Sequence, residues 1–251
     1  MARRAAASAI TLSETDGVRY LHFGTEWVQG GMRIARPWSI ELEYQRQMMA
    51  LGLLLPEPRS VLQLGLGAAA LTKFCWRHLP ETEITVVEIS PEVVATARQW
   101  FRLPADDERL SVVLGDAREA LDTRRAWRAD WLQVDLYDAA ARGPVYDDEA
   151  FYRSCRRALA RPGVASFNLF GRSFDASFAA ISAAFDSRAL ALPEVAEGNR
   201  IVLALTGPRV RVDFAAWYER AGELEARWRL PARRWLAGLR AVNDLADGDL
   251  L

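Results

Sequence analysis

Val61-Leu-Gln-Leu-Gly65-Leu-Gly67-Ala-Ala-Ala70 sets a short apolar run against Gly-x-Gly and then against residues that favour a helix. Read as backbone, this is a buried strand that turns tightly into a helix. The glycines let the main chain bend and approach a ligand closely, and the free N–H groups of the helix start face that ligand. A lone Gly-x-Gly is also what an ordinary strand-to-helix turn looks like, so its surroundings decide.

Downstream, strand-like runs alternate with helical ones: 60–64 then 69–79, 83–88 then 91–101, 110–114 then 116–124, and 131–136 then 147–159. A fifth strand at 164–169, a helix near 174–185 and two closing strands at 189–195 and 200–205 follow, the last two around Glu197-Gly198-Asn199. This βαβ alternation predicts an α/β fold with a doubly wound, mostly parallel sheet. The closing hairpin favours the seven-stranded sheet of class I S-adenosylmethionine methyltransferases over a dehydrogenase sheet. Residues 212–241, with Trp217, Trp228 and Trp235 among Arg and Glu, read as one or two helices whose tryptophans serve packing or a dimer contact.

Upstream, residues 10–36 alternate apolar and polar types around Asp16-Gly17 and Gly30-Gly31, which predicts two or three short strands in hairpins. A helix over 39–55 then leads into the main domain, ended by Pro56 and Pro58. The expected division is a small β element over 1–38 and a nucleotide-binding catalytic domain over 39–251.

Composition sets the outer limits. The chain has 251 residues, half of them hydrophobic, and a formal net charge of −1, the balance of an ordinary globular protein with no electrostatic case for nucleic acid. The basic N-terminus lacks the apolar run of a secretory signal, and no segment is long and apolar enough to span a bilayer. Cys75 and Cys155 fall in helix-like stretches, so neither a disulfide scaffold nor a metal site is expected, and a reduced cytoplasm fits. His22 and His78 are isolated and read as structural or surface residues.

Three acidic positions at the ends of consecutive strands accompany the glycine loop. Glu88 closes the second strand, where its carboxylate can accept from both ribose hydroxyls or cap the helix that starts at Ser90-Pro91-Glu92. Asp116, in Gly115-Asp116-Ala117, can accept from an adenine amino group, cap the next helix, or do both. The fourth strand ends Val134-Asp135-Leu-Tyr137-Asp138 before a flexible stretch at 139–144. Asp135 and Asp138 are suited to gripping a cationic amine and taking its proton as it attacks an electrophilic carbon, since an ammonium has no lone pair. Together these positions point to an adenosyl ligand beside an amine.

In this order the motifs resemble those of the spermidine synthase (polyamine aminopropyltransferase) family over roughly residues 20–170: the glycine loop, Val-Val-Glu88-Ile-Ser-Pro-Glu, Leu-Gly-Asp116-Ala-Arg, Val-Asp135-Leu-Tyr-Asp138, then Asp148-Glu-Ala-Phe-Tyr152. The resemblance implies that Gly65, Gly67, Glu88, Asp116, Ala117 and Gln45 hold decarboxylated S-adenosylmethionine as co-substrate, with no tightly bound cofactor or metal. It implies that Tyr44, Tyr137 and Gln29 line the amine site and that Asp135 and Asp138 carry the catalysis, in a cytoplasmic homodimer. Two departures stand out. The family's Gly-Gly-Gly-Asp-Gly-Gly, whose Asp engages the donor's amine end, has Ala68 at that position, and its Asp-Ser-Ser-Asp-Pro becomes Asp135-Leu-Tyr-Asp138-Ala. Aminopropyl transfer to an amine such as putrescine is therefore weighed against methyl transfer from intact S-adenosylmethionine and against a non-catalytic nucleoside- or polyamine-binding role.

Overall fold

A computed structural model describes residues 10–138, 144–171 and 174–251. The chain begins with three antiparallel strands, β1 (Ile10–Thr15), β2 (Val18–Phe23) and β3 (Gly30–Arg33), followed by two short helices, α1 (Glu43–Met48) and α2 (Leu51–Leu54). It continues through β4 (Ser60–Leu64), α3 (Ala70–His78), β5 (Glu83–Glu88), α4 (Pro91–Trp100), β6 (Leu110–Leu114), α5 (Ala117–Thr123) and β7 (Ala129–Val134). Then come α6 (Glu149–Arg157), β8 (Leu159–Phe170), α7 (Phe174–Ala184), β9 (Ala189–Ala191), β10 (Asn199–Thr206), α8 (Phe214–Trp228) and α9 (Ala232–Val242).

The main sheet has seven strands in the order β6-β5-β4-β7-β8-β10-β9. β4 through β8 pair in parallel, and β10 runs antiparallel to β8 and β9. The doubly wound sheet with its closing hairpin is thus present. Side chains alternate across the parallel strands: Val61 enters the core shared with α1 to α4, α8 and α9, while Leu62 and Leu64 enter the core shared with α5 to α7. Two apolar layers, one on each face, leave the carboxyl ends of the strands as the open edge. At the centre Gln63 of β4 sits in register with Gln133 of β7 and donates to its side-chain oxygen at 2.7 Å, while Thr72 of α3 donates to Gln63 at 2.7 Å. A buried amide pair of this kind fixes register, because a slip would leave both groups without partners.

Several boundaries differ from the sequence reading, for local reasons. The helix expected over 39–55 starts only at Glu43, since the Ser39 hydroxyl donates back to the Arg36 carbonyl and holds the preceding turn. It breaks at Met49-Ala50, where backbone N–H groups reach back three residues rather than four. Gly30-Gly31, read as a turn, lies inside β3. A Cβ at Gly30 would fall 2.6 Å from the Ala68 Cβ, and one at Gly31 would fall 3.2 Å from the Tyr20 ring, so the glycines serve close packing. Asp16-Gly17 does make the β1–β2 turn, with φ of 53° and 73°. The strand expected over 131–136 stops at Val134, which leaves Asp135 just past its end, and β9 is cut short before Pro193. The N-terminal sheet lies over the glycine loop, with Leu21, Met32, Ala68 and Phe101 in one cluster.

Lys73 on α3 is 1% exposed and donates from Nζ to the Phe101 carbonyl at 2.6 Å. Burial lowers its ammonium pKa to about 7. Between that value and the unfolded lysine's ordinary range, the unfolded chain binds a proton that the folded chain does not, so the lysine's penalty falls as pH rises. Lys73→Met should therefore stabilise the protein more at pH 7 than at pH 9, measured as the difference in urea unfolding free energy from wild type at each pH.

Candidate active site

The strand order reverses between β4 and β7: β4 leads outward to β5 and β6, and β7 leads the other way to β8. Ligands of open α/β sheets bind at such a switch point, outside the carboxyl ends of the strands. A cavity of about 1440 Å³ lies there, walled by the ends of these strands and by Ile10, Phe23, Trp27 and Val28 from the N-terminal sheet and the segment before β3.

Gly65 forms the floor. It takes φ of 94°, and a side chain there would collide with the Asp135 carbonyl from the neighbouring strand end. Gly67, at φ 50°, lies under the Gln29 carbonyl. Ala69, left-handed at φ 55°, then starts α3. Ala68 is fully buried beneath Gly30 and lies away from the cavity walls, so this loop position has no room for a carboxylate facing a ligand.

Glu88 is buried at the wall. Its Oε2 accepts from the Leu66 N–H at 3.0 Å and its Oε1 from the Ser90 N–H at 2.9 Å. The carboxylate thus ties the glycine loop to the next turn, and the Gly67 and Ile89 main-chain N–H groups are directed at it as well. Burial raises its pKa, opposed by these backbone donors. Beside it Ile89 is 68% exposed on the wall, an apolar face of the kind a flat heterocycle packs on. Asp116 caps α5 by accepting from the Glu119 N–H at 3.0 Å, while its second oxygen accepts from the Tyr146 hydroxyl. Burial, together with this carboxylate, pushes the Tyr146 phenol up to about 12. Ala117 follows on the wall.

Across the crevice Asp135 is held by three neighbours. Asn168 Nδ2 donates to Oδ1 at 2.8 Å, the Tyr44 hydroxyl donates to Oδ2 at 3.3 Å, and Gln45 also hydrogen-bonds to the carboxylate. Burial raises the Asp135 pKa, and these donors oppose it. The Tyr137 hydroxyl donates to the Asn168 carbonyl at 3.0 Å, and burial holds this phenol neutral. Gln29 reaches the Asp138 carbonyl at 3.4 Å, and Asp138 is exposed at the mouth. The loop expected at 139–144 lies outside the described residues except for Pro144, which bridges to Tyr137.

Of the residues singled out from sequence, Gly65, Gly67, Glu88, Asp116, Ala117, Asp135, Asp138, Tyr44, Tyr137 and Gln29 all border this cavity. Gln45 is buried behind Asp135 and is not a wall residue, so it meets the site through that carboxylate. Sequence reading missed Asn168 and Asn199, whose amides lie in or beside apolar strands, and the aromatic pair Trp27 and Phe170, 6.2 Å apart edge to face. An asparagine inside Val-Ala-Ser-Phe-Asn168-Leu-Phe was a readable signal; nothing local marked Trp27.

The charge on the walls is one-sided. Glu26, Glu88, Glu92, Asp116, Asp135, Asp138 and Glu197 border the cavity, and no Lys, Arg or His does among the described residues. Such a surface attracts cations and repels anions.

Fold and site together define an α/β domain of the methyltransferase-like type with an acidic crevice at its switch point. The spermine/spermidine synthase domain matches residues 41–168, and the chain belongs to that family. It is 30% identical to a polyamine aminopropyltransferase from Chromobacterium violaceum, over 96% of this chain and 93% of that one. In fold it is similar to a probable spermidine synthase from Corynebacterium glutamicum, with a TM-score of 0.71 and 18% identity over 95% of this chain and 94% of that one. It is also similar in fold to human methyltransferase-like protein 13 in complex with SAH, with a TM-score of 0.69 and 24% identity over 75% of this chain and 93% of that one.

Gly65→Ala should cost about 2–5 kcal/mol, the sum of a left-handed alanine and an overpacked contact. Urea unfolding checks the loss, and it should be accompanied by loss of adenosyl-ligand binding in calorimetry.

Proposed function

We propose that the protein transfers an aminopropyl group from decarboxylated S-adenosylmethionine to a small amine of the putrescine class. The observation that carries this is the wall charge: seven carboxylates and, among the described residues, no cationic side chain. The decarboxylated donor brings an ammonium and a sulfonium, and the acceptor is a polycation, so both find counter-charges here. Intact S-adenosylmethionine brings a carboxylate that, among the described residues, would meet acids and no cation on these walls. Ala68 favours the methyl-transfer alternative by removing one repelling acid, but the acids that remain outweigh it.

In this reading Glu88 takes the ribose hydroxyls, Ile89 and Ala117 flank the adenine, and Asp116 offers an oxygen to its amino group once Tyr146 yields. Gly65 and Gly67 let the main chain approach the donor. Tyr44, Tyr137 and Gln29 line the acceptor's path. Asp135, with Asp138 at the mouth, accepts a proton from the acceptor ammonium. The freed nitrogen lone pair then forms a bond to the carbon next to sulfur, the C–S bond breaks with its electrons passing to sulfur, and neutral methylthioadenosine leaves. The sulfonium is already a good leaving group, so most of the rate gain comes from alignment and charge placement.

The same reading makes the protein a homodimer of the cytoplasm. The dimer follows from the family resemblance, and the compartment fits two buried, free cysteines. No helix among the described residues is long and apolar enough to cross a membrane.

Asp135→Asn should lower kcat at least about 100-fold, the scale of a lost general base, while donor affinity stays within a few-fold. Chromatographic product analysis with putrescine and the decarboxylated donor checks the first, and calorimetry the second. Unchanged polyamine production by this variant would remove Asp135 from its assigned role.

A further inference from the structure

Asp135 receives its amide donor from a residue that is itself held from one side. Asn199, the first residue of β10, donates from Nδ2 to Asn168 Oδ1 at 2.9 Å, and Asn168 in turn donates from Nδ2 to Asp135 Oδ1 at 2.8 Å. Both asparagines are buried, at 9% and 4% exposure. An asparagine amide can present its oxygen or its NH₂ to a given neighbour, and the two faces differ in sign. Asn199 occupies the oxygen end of Asn168, which leaves only the NH₂ end for the carboxylate. The Asn168 carbonyl is also engaged, by the Tyr137 hydroxyl, so β8 is tied at this residue to both Asp135 and Tyr137.

We propose that Asn199 is a positioning residue, acting through Asn168 as a one-way hydrogen-bond relay that keeps an N–H donor aimed at the Asp135 carboxylate and its remaining lone pairs turned toward the incoming amine. The direction of the relay suits an ionised carboxylate, which accepts from an N–H more strongly than a protonated carboxyl does. The other groups facing Asp135 leave this task to the relay. Tyr44 from α1 is a phenol whose contact is longer, at 3.3 Å, Tyr137 is a neutral phenol, Gln45 is an uncharged amide, and Gly65 from the β4–α3 turn brings no side chain. Asp138, three residues on, adds a like charge on the same loop. No cation borders this part of the cavity among the described residues. Burial alone drives the Asp135 pKa upward, so a directed donor counts for more here than at a solvated acid. Asn199 also borders the cavity, two residues from Glu197.

The proposal rests on aminopropyl transfer for its chemistry, but its test needs no turnover. Protein labelled with carboxyl-¹³C aspartate is titrated by NMR, and the Asp135 signal is assigned as the one lost in Asp135→Asn. Asn199→Leu, which does not touch Asp135, should raise the Asp135 midpoint by about half a pH unit to one unit, and Asn168→Leu by at least as much. In the double variant Asn199→Leu should add nothing further, because the relay is already cut. An unchanged midpoint in Asn199→Leu, or additive shifts in the double variant, overturns the relay. If Asn199→Leu does not fold, Asn199→Ser decides on the same criterion, and if Asn168→Leu does not fold the Asn199 variant alone decides. With turnover measured alongside, the acid limb of kcat should move up with the midpoint while KM for the donor stays constant. A wild-type protein that makes no aminopropyl product refutes the proposed function and leaves the titration result for the relay standing.

Discussion

Gly65 and the Asp135 carbonyl come together where β4 and β7 diverge, and the site depends on that contact. Only a residue without a side chain can turn there at φ 94° with the neighbouring strand end pressed against it. The contact draws the glycine loop and the acidic loop to opposite lips of one crevice. Behind it the Gln63–Gln133 pair holds the two strands in register, and Thr72 ties that pair to the helix that starts from the glycine loop. A slip of one residue between β4 and β7 would separate Gly65 from Asp135 and bury two unpaired amides.

Charge is organised around the same seam. Glu88 and Asp135 are both carboxylates whose burial favours the neutral form, and both are supplied with hydrogen-bond donors that favour the ionised one. The donors differ in kind. Glu88 is met by main-chain N–H groups of the turns flanking it, which are fixed by the fold, whereas Asp135 is met by side chains from α1 and β8. This contrast matches the roles proposed for them: a ribose anchor holds one protonation state, and a group that takes up a proton must pass between two.

Much of this was legible in the sequence because it is local. The glycine loop, Glu88 at the end of β5, Asp116 before α5 and the Asp135-Leu-Tyr-Asp138 segment each combine a strand ending with the residue just after it, so periodicity and a short motif suffice. Of the readings left open for Asp116, the structure shows the cap on α5. What was not legible depends on chain segments far apart. Gly30-Gly31 reads as a turn until Ala68 and Tyr20 are placed against it, and Ala68 reads as a missing acid until Gly30 is seen to fill its space. Asn168 and Asn199 meet only through the antiparallel pairing of β8 with β10. The acids Glu26 and Glu197 look like surface loop residues until the N-terminal segment and the β9–β10 turn are brought to the same cavity.

The central claim is that this crevice is built for a donor and an acceptor that are both cations. Isothermal calorimetry with decarboxylated and with intact S-adenosylmethionine, under identical buffer and salt, tests it most directly. Binding of the decarboxylated form at least about tenfold tighter, a difference of about 1.4 kcal/mol, is the result expected of walls that carry carboxylates and, among the described residues, no counter-cation. Equal or tighter binding of the intact form would contradict the account and make the protein a methyl-transfer or sensing member of its fold.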